Sequence, residues 1–346
     1  CLAELSSLRQ RIRSRRGSLD LDLPEAQIEL DDGGEPQTIG PYPRYPSHRI
    51  IEECMLLANE CVGHFCSRNK LPVLYRVHMP PTGSKLEPVY ELLGPRRSHA
   101  PLRDQSLTPR DFQNMLEQAR QLPNAALIGK LLLRSLSRAE YAADDKGHFG
   151  LACSNYLHFT SPIRRYPDLL VHRVLKDFMA GRWTGHKDRL MRDQVAEKGK
   201  VLSTLERRAE SAERTYVKMK QLRFMERRLG DVFDGVVVGV LRSGFFVEIN
   251  TFLIEGYCRA SDFDEPVDYD ENRHCLMLRR SRRAIRLGMP VRVVVSAVDL
   301  EALEMDLALD YASLPGGVGS GKLGKKRKGK SKGKKSARAK KRSTRR

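Results

Sequence analysis

Two adjacent arginines, Arg164 and Arg165, follow a Ser-Pro pair in the stretch "HFTSPIRRYPDLLVHR", residues 158–173. A hydroxyl residue before a proline announces a helix start. Ser161 suits the capping position, and Pro162 suits the first helical position, where no N–H is needed. The field of a helix N-terminus disfavours cations. Two guanidinium groups placed there instead build an anion site, where N–H donors, the helix field and a planar fork all meet a phosphate. The same spacing also fits a structural role, in which one arginine pairs with Asp168. Spacing by itself does not choose between the two.

Other reactive types carry less. Of the seven cysteines, none forms a Cys-x-x-Cys pair, which in a chain of this length points to reduced thiols. Cys61, His64 and Cys66 lie close together but lack a fourth ligand at regular spacing, so no metal site is expected from them. The acidic run "SDFDEPVDYDE" at 261–271 is balanced by the basic run "LRRSRRAIR" at 278–286, and charge balance explains it better than catalysis.

The formal net charge of +19 is unevenly spread. Residues 322–346 hold fifteen Lys and Arg and no acid, leaving 47 basic against 43 acidic residues elsewhere. Such a run is expected to be disordered and to attract a polyanion such as RNA. The longest apolar runs, such as "VVVGV", are far too short to span a bilayer, so no membrane partner is expected.

The elements that must position these residues read as mainly helical, then β. "SLDLDLPEAQIEL" followed by "DDGG" predicts a hairpin. "SHRIIEECMLLANECVGHF" predicts a helix capped by Ser47, and "KLPVLYRVH" a buried strand. "LTPRDFQNMLEQAR" predicts a helix with Thr108 as cap, and "NAALIGKLLLRSLSRAEY" a long one. The signature stretch opens a further helix, and an α-rich segment runs on to Gly230. Beyond it, five short β-branched strands in about eighty residues predict a small closed barrel. Barrels of this type bind single strands through exposed aromatics flanked by basic groups. The candidates are Phe233, Phe245, Phe246 and Tyr257, with Arg242 and Arg259 beside them. Neighbours on a strand face opposite ways, so only one of Phe245 and Phe246 is expected to face RNA.

"HFTSPIRRYPDLLVHR", preceded by "KGHFGLA", closely resembles the signature of the RNB family of processive 3′→5′ exoribonucleases. "RIIEECMLLAN", "LPVLYRVH" and "LLLRSL" resemble the same family in the same order, and "GDVFDGVVVGVLRSGFFVEI" resembles the S1 RNA-binding domain. The resemblance implies an α+β chain: the carboxy-terminal part of an RNB catalytic domain at 1–225, an OB-type S1 β-barrel at 226–312, and a disordered Lys/Arg-rich tail at 313–346. It implies that Arg164 holds the phosphate near the scissile bond, with Arg165, Tyr166 and Asp168 in support. It places Glu52, or failing it Glu53, at the 3′-terminal nucleotide. Glu213 is expected near the product end, with Glu206 as a competing match. Phe233 and one of Phe245 and Phe246 are expected on the RNA face of the barrel.

The resemblance also implies Mg²⁺, held by aspartates that lie upstream of the "SLDLDL" hairpin in the family. This chain begins too late to contain them and is expected not to cleave RNA by itself. The expected partner is single-stranded RNA taken by its 3′ end, with the ribosome or other RNA-decay proteins as further partners and a cytoplasmic location. The alternative is a non-catalytic RNA-binding module acting in RNA or ribosome metabolism.

Overall fold

The computed structural model describes residues 1–19, 26–43, 45–93, 107–122, 125–271 and 275–314. The charged tail from residue 315 and half of the first predicted hairpin strand lie outside them. Helix α1 (Leu2–Arg16) leads to a hairpin of β1 (Ala26–Leu30) and β2 (Pro36–Pro41), closed by the predicted Asp-Asp-Gly-Gly turn. Helix α2 (Pro46–Arg68) follows. It starts one residue before Ser47, because Pro46 takes the first turn and Tyr45 occupies the cap position. Gly63 lets α2 approach the loop before the signature stretch, since a Cβ there would lie 1.6 Å from the Asn155 carbonyl oxygen.

Strand β3 (Tyr75–Val77) pairs with β4 (Glu140–Ala142), and α3 (Glu87–Leu93), α4 (Pro109–Arg120) and α5 (Ala125–Ser135) lie between them in sequence. Thr108 caps α4 as expected, and Asp111 completes a reciprocal capping box. The helix predicted to run through Tyr141 stops at Ser135, whose hydroxyl turns back to the Leu132 carbonyl at 2.7 Å. The next residues instead complete the open edge of β3, and that backbone pairing outweighs their helical pattern.

Helix α6 runs Tyr166–Met179, four residues later than the Ser-Pro reading. Pro167 is the reason. In a helix opened at Pro162 it would fall in the interior, without a donor and against the carbonyl of residue 163. Starting at Tyr166 puts Pro167 in the first turn, where it is tolerated. Helix α7 (Gly185–Glu226) is a single helix of 42 residues.

After α7, strands β5 (Val232–Leu241), β6 (Gly244–Ile249), β7 (Ile254–Arg259), β11 (Pro290–Asp299) and β12 (Glu304–Leu309) close a five-stranded barrel. A three-stranded sheet of β8 (Val267–Asp270), β9 (Cys275–Leu278) and β10 (Ala284–Ile285) is inserted between β7 and β11. The barrel core, with Val237, Phe245, Val247 and Ile249, continues onto Leu222, Phe224 and Met225 at the end of α7. A second core joins α3, α4 and α5 through Val89, Phe112 and Ile128. A third joins α2, β3 and α6 through Cys66, Val77 and Val171. No described helix is long and apolar enough to cross a membrane.

Candidate nucleic-acid interface

The turn before α6 is held from inside the protein. Asp168 is fully buried, and its Oδ1 accepts from the Ser161 backbone N–H at 2.8 Å and from Arg165 Nη2 at 2.7 Å. The N–H groups of Arg164 and Arg165 both return to the Ser161 carbonyl, at 3.3 and 3.0 Å. On the other side, Asn59 of α2 accepts from the Phe159 N–H at 3.0 Å. The Phe159 ring stacks on His172 at 4.2 Å. The structural reading therefore holds for Arg165, and the anion-site reading is left to Arg164. Arg164 is exposed and its guanidinium has no hydrogen-bond or ion-pair partner among the described residues, and Ile163 beside it is 99% exposed.

A polar chain runs inward from this turn. Tyr141 OH and His158 Nδ1 lie 2.9 Å apart. Burial, reinforced by Arg165 and Arg76, pushes the His158 imidazole down to about 3, so the ring is neutral and can accept a hydrogen bond from the phenol O–H. Burial pushes the Tyr141 phenol up to about 12, which keeps that proton in place. The Arg76 guanidinium lies 4.6 Å over the Tyr141 ring and pairs with Glu206 of α7 at 2.5 Å. Sequence reasoning missed His158, Tyr141 and Arg76; His158 stood in the signature stretch, but the other two carried no local signal.

Tyr166, 40% exposed, meets Lys198 of α7, whose Nζ is 5.7 Å from the ring centroid. That contact locates the two glutamate candidates. Glu206 reaches the polar chain through Arg76, whereas Glu213 lies fifteen residues beyond Lys198, about 22 Å along the helix axis. Glu213 is exposed and unpaired among the described residues, so the structure brings Glu206 to the cluster instead.

On α2, Glu53 is buried in an ion pair with Arg13 of α1 and is not available to a ligand. Glu52 is half-buried and lines a groove of about 610 Å³ between α1, α2 and α4, together with Arg11, Arg15 and Arg49. It lies two turns before Asn59 on the same face, about 10 Å along α2.

The barrel separates its four aromatics into two sets. Phe245 is fully buried in the core and presents no face to a ligand. Phe233 packs at 5.5 Å against Phe252 beside the same core and lies away from the cleft described next. Strand alternation predicted that one of Phe245 and Phe246 would be in the core, and it is Phe245; Phe233 does not line that cleft. Phe246 and Tyr257 lie opposite one another on β6 and β7, with ring centroids 4.9 Å apart. They open into a cleft of about 720 Å³ whose other wall is α7, with Arg214, Lys218 and Gln221. Arg259 is held by both oxygens of Asp306, at 3.0–3.3 Å, and Arg242 pairs with Glu271 at 2.8 Å. Arg214 pairs with Glu210 on the same helix at 2.6 Å, which leaves Lys218 as the cation of that wall without an ion pair among the described residues.

Among the described residues, no group of three or more His, Cys, Asp or Glu side chains could hold a metal ion. Cys66 is fully buried in the core, where burial pushes its thiol up to about 12. The described residues therefore offer no set of ligands that fits Mg²⁺.

A family model described as the RNB domain matches residues 1–181, and one described as the S1 RNA binding domain matches residues 226–309. The chain belongs to the RNB family. Within this family it is 40% identical over 304 residues to ribonuclease R of Aquifex aeolicus, covering 86% of this chain and 43% of that protein. It is 32% identical to ribonuclease R of Escherichia coli, covering 89% and 39%. In structure it is similar to Mycoplasma genitalium RNase R in complex with ribose methylated single-stranded RNA, with a TM-score of 0.83, 26% identity, and coverage of 89% of this chain and 48% of that one. The chain spans about two fifths of the length of the curated RNB relatives it matches.

Proposed function

We propose that this chain is the RNA-gripping and phosphate-holding part of a processive 3′→5′ exoribonuclease that hydrolyses single-stranded or structured RNA to nucleoside 5′-monophosphates in the cytoplasm. The observation that carries the reading is Arg164: an exposed guanidinium without a partner among the described residues, presented by a turn that a buried carboxylate holds in place. A charge placed in advance beside a phosphoryl group stabilises the negative charge that develops on its oxygens in the transition state, and no reorganisation is needed at that moment. Glu206, Tyr166 and Lys198 border the same region, and Glu52 faces the groove assigned to the 3′-terminal nucleotide. The cleft between α7 and the barrel supplies stacking on Phe246 and Tyr257 and phosphate contacts to Arg214 and Lys218. The proposed division is 1–225 for the RNB part, 226–312 for the S1 barrel and 313–346 for a basic tail. Magnesium, expected from the resemblance, is assigned to none of the described residues.

The test incubates the chain with 5′-labelled single-stranded RNA and Mg²⁺, following binding and shortening on one gel. Binding without shortening is the outcome expected of a part that holds phosphate without metal-binding aspartates, and shortening from the 3′ end would overturn that account of the chain. The second reading, an RNA-binding module without chemistry, rests on the aromatic and basic cleft alone, and an Arg164→Ala variant of the complete enzyme that turns RNA over at an unchanged rate would favour it. No binding overturns both.

A further inference from the structure

The barrel's RNA-facing strands carry an acidic pair directly beside their aromatic pair. In the β6–β7 register, Phe246 lies opposite Tyr257 and Glu248 lies opposite Glu255. Alternate residues share a face, so two aromatics and two carboxylates occupy one outer surface, about 7 Å apart along the strands. Carboxylates directly opposite one another repel. They would equally repel a strand of phosphates lying on the aromatics. Left bare, this arrangement would work against RNA binding twice over.

Helix α5 answers both charges. Lys130 pairs with Glu248, the two side chains only 19% and 13% exposed, and Arg134 pairs with Glu255 at 2.7 Å. Lys130 and Arg134 are one helical turn apart, so their spacing of about 6 Å matches that of the facing glutamates. The inner pair is the stronger contact, because it is shielded from water, while the outer one is a rim contact worth little. The barrel is also rooted at the end of α7, where Leu222, Phe224 and Met225 enter its core. The clasp on α5 is a second point of attachment, and two points fix an orientation that one does not.

We infer that Lys130 and Arg134 are positioning residues for RNA binding: by clasping Glu248 and Glu255 they turn the barrel so that Phe246 and Tyr257 face Arg214 and Lys218 across the cleft, and they neutralise the acidic rung beside that path. This rests on the cleft being the RNA site proposed above. The clasp touches no RNA itself.

The test measures the affinity of the full chain for a 5′-fluorescein-labelled oligoadenylate by anisotropy, with thermal melting of each variant recorded alongside. Glu248→Lys is informative because simple electrostatics predicts the opposite sign: a positive charge in place of a negative one should tighten binding to a polyanion. The clasp predicts loosening, by about tenfold, and restoration to within about threefold when Lys130→Glu is added to the same protein. Lys130→Met, which leaves the barrel sequence intact, should loosen binding in the same direction and serves if Glu248→Lys lowers the folded fraction. Binding that is unchanged or tighter in Glu248→Lys, while Phe246→Ala still weakens it, overturns the clasp and leaves the RNA site standing. Binding indifferent to both Phe246→Ala and Tyr257→Ala overturns the RNA site and the clasp with it.

Discussion

Replacing Asp168 by alanine tests the reasoning about the signature turn most directly. The carboxylate is fully buried and accepts two hydrogen bonds, one from the Ser161 N–H and one from the Arg165 guanidinium. A hydrogen bond to a charged group contributes about 1.5–3 kcal/mol, and breaking a buried ion pair by removing one partner costs about 3–5 kcal/mol. The Arg165 side chain is 23% exposed and can turn partly to water, so the low end applies, about 3 kcal/mol. For a folding unit of this size that lowers the melting temperature by about 6–12 °C. Urea and thermal unfolding followed by circular dichroism measure it. Arg165→Met in the same background should cost less than it does alone, with a coupling of about 1–3 kcal/mol. With the turn unanchored, Arg164→Ala should no longer change RNA processing. A cost below about 1 kcal/mol, or strictly additive single and double variants, would refute the claim that Asp168 holds the turn.

Three further outcomes are expected. Phe245→Ala should destabilise the barrel by about 3–5 kcal/mol, whereas Phe246→Ala should leave stability nearly unchanged and weaken RNA binding by about 1–3 kcal/mol, as denaturation and anisotropy on the same two proteins will reveal. His148 and His158 are both pushed by burial down to about 3; the unfolded imidazoles titrate near 6.5 and take up protons that the folded ones refuse, so stability should be complete above pH 6.5 and fall as the pH drops toward 3. A urea midpoint that is flat between pH 7.5 and pH 5 would contradict this, and His158→Asn should flatten it in part. Deleting residues 322–346, with their fifteen Lys and Arg, should reduce the slope of log affinity against log salt; an unchanged slope would mean that the tail meets no phosphates.

The parts of the fold legible in the sequence are those fixed by neighbours in the chain. Thr108 and Pro109 announced α4, the Asp-Asp-Gly-Gly turn announced the hairpin, and the spacing of β-branched runs announced the barrel. The start of α6 was legible too, in Pro167, but the nearer Ser-Pro pair masked it. What required the structure was every choice between equivalents. Arg164 and Arg165 are indistinguishable until Asp168 is seen to take one of them. Phe245 and Phe246 are interchangeable until the β5–β6 register sends one into the core. Glu206 and Glu213 share a helix and a local pattern, and only the contact with Arg76, 130 residues away in sequence, separates them.

Helix α7 makes the distance between two ends of the proposed RNA path invariant. Lys198, beside Tyr166, and Lys218, in the barrel cleft, stand on the same unbroken helix. Twenty residues at 1.5 Å each separate them by about 30 Å. Twenty residues also turn the helix by about 200°, so the two lysines leave it on nearly opposite sides, and a strand meeting both needs more than the roughly nine nucleotides that the axial span alone requires at about 3.4 Å each. The helix therefore acts as a ruler. On the proposed path, an oligonucleotide shorter than its scale would reach one end or the other and a longer one both, which would make substrate length a quantity the protein can count.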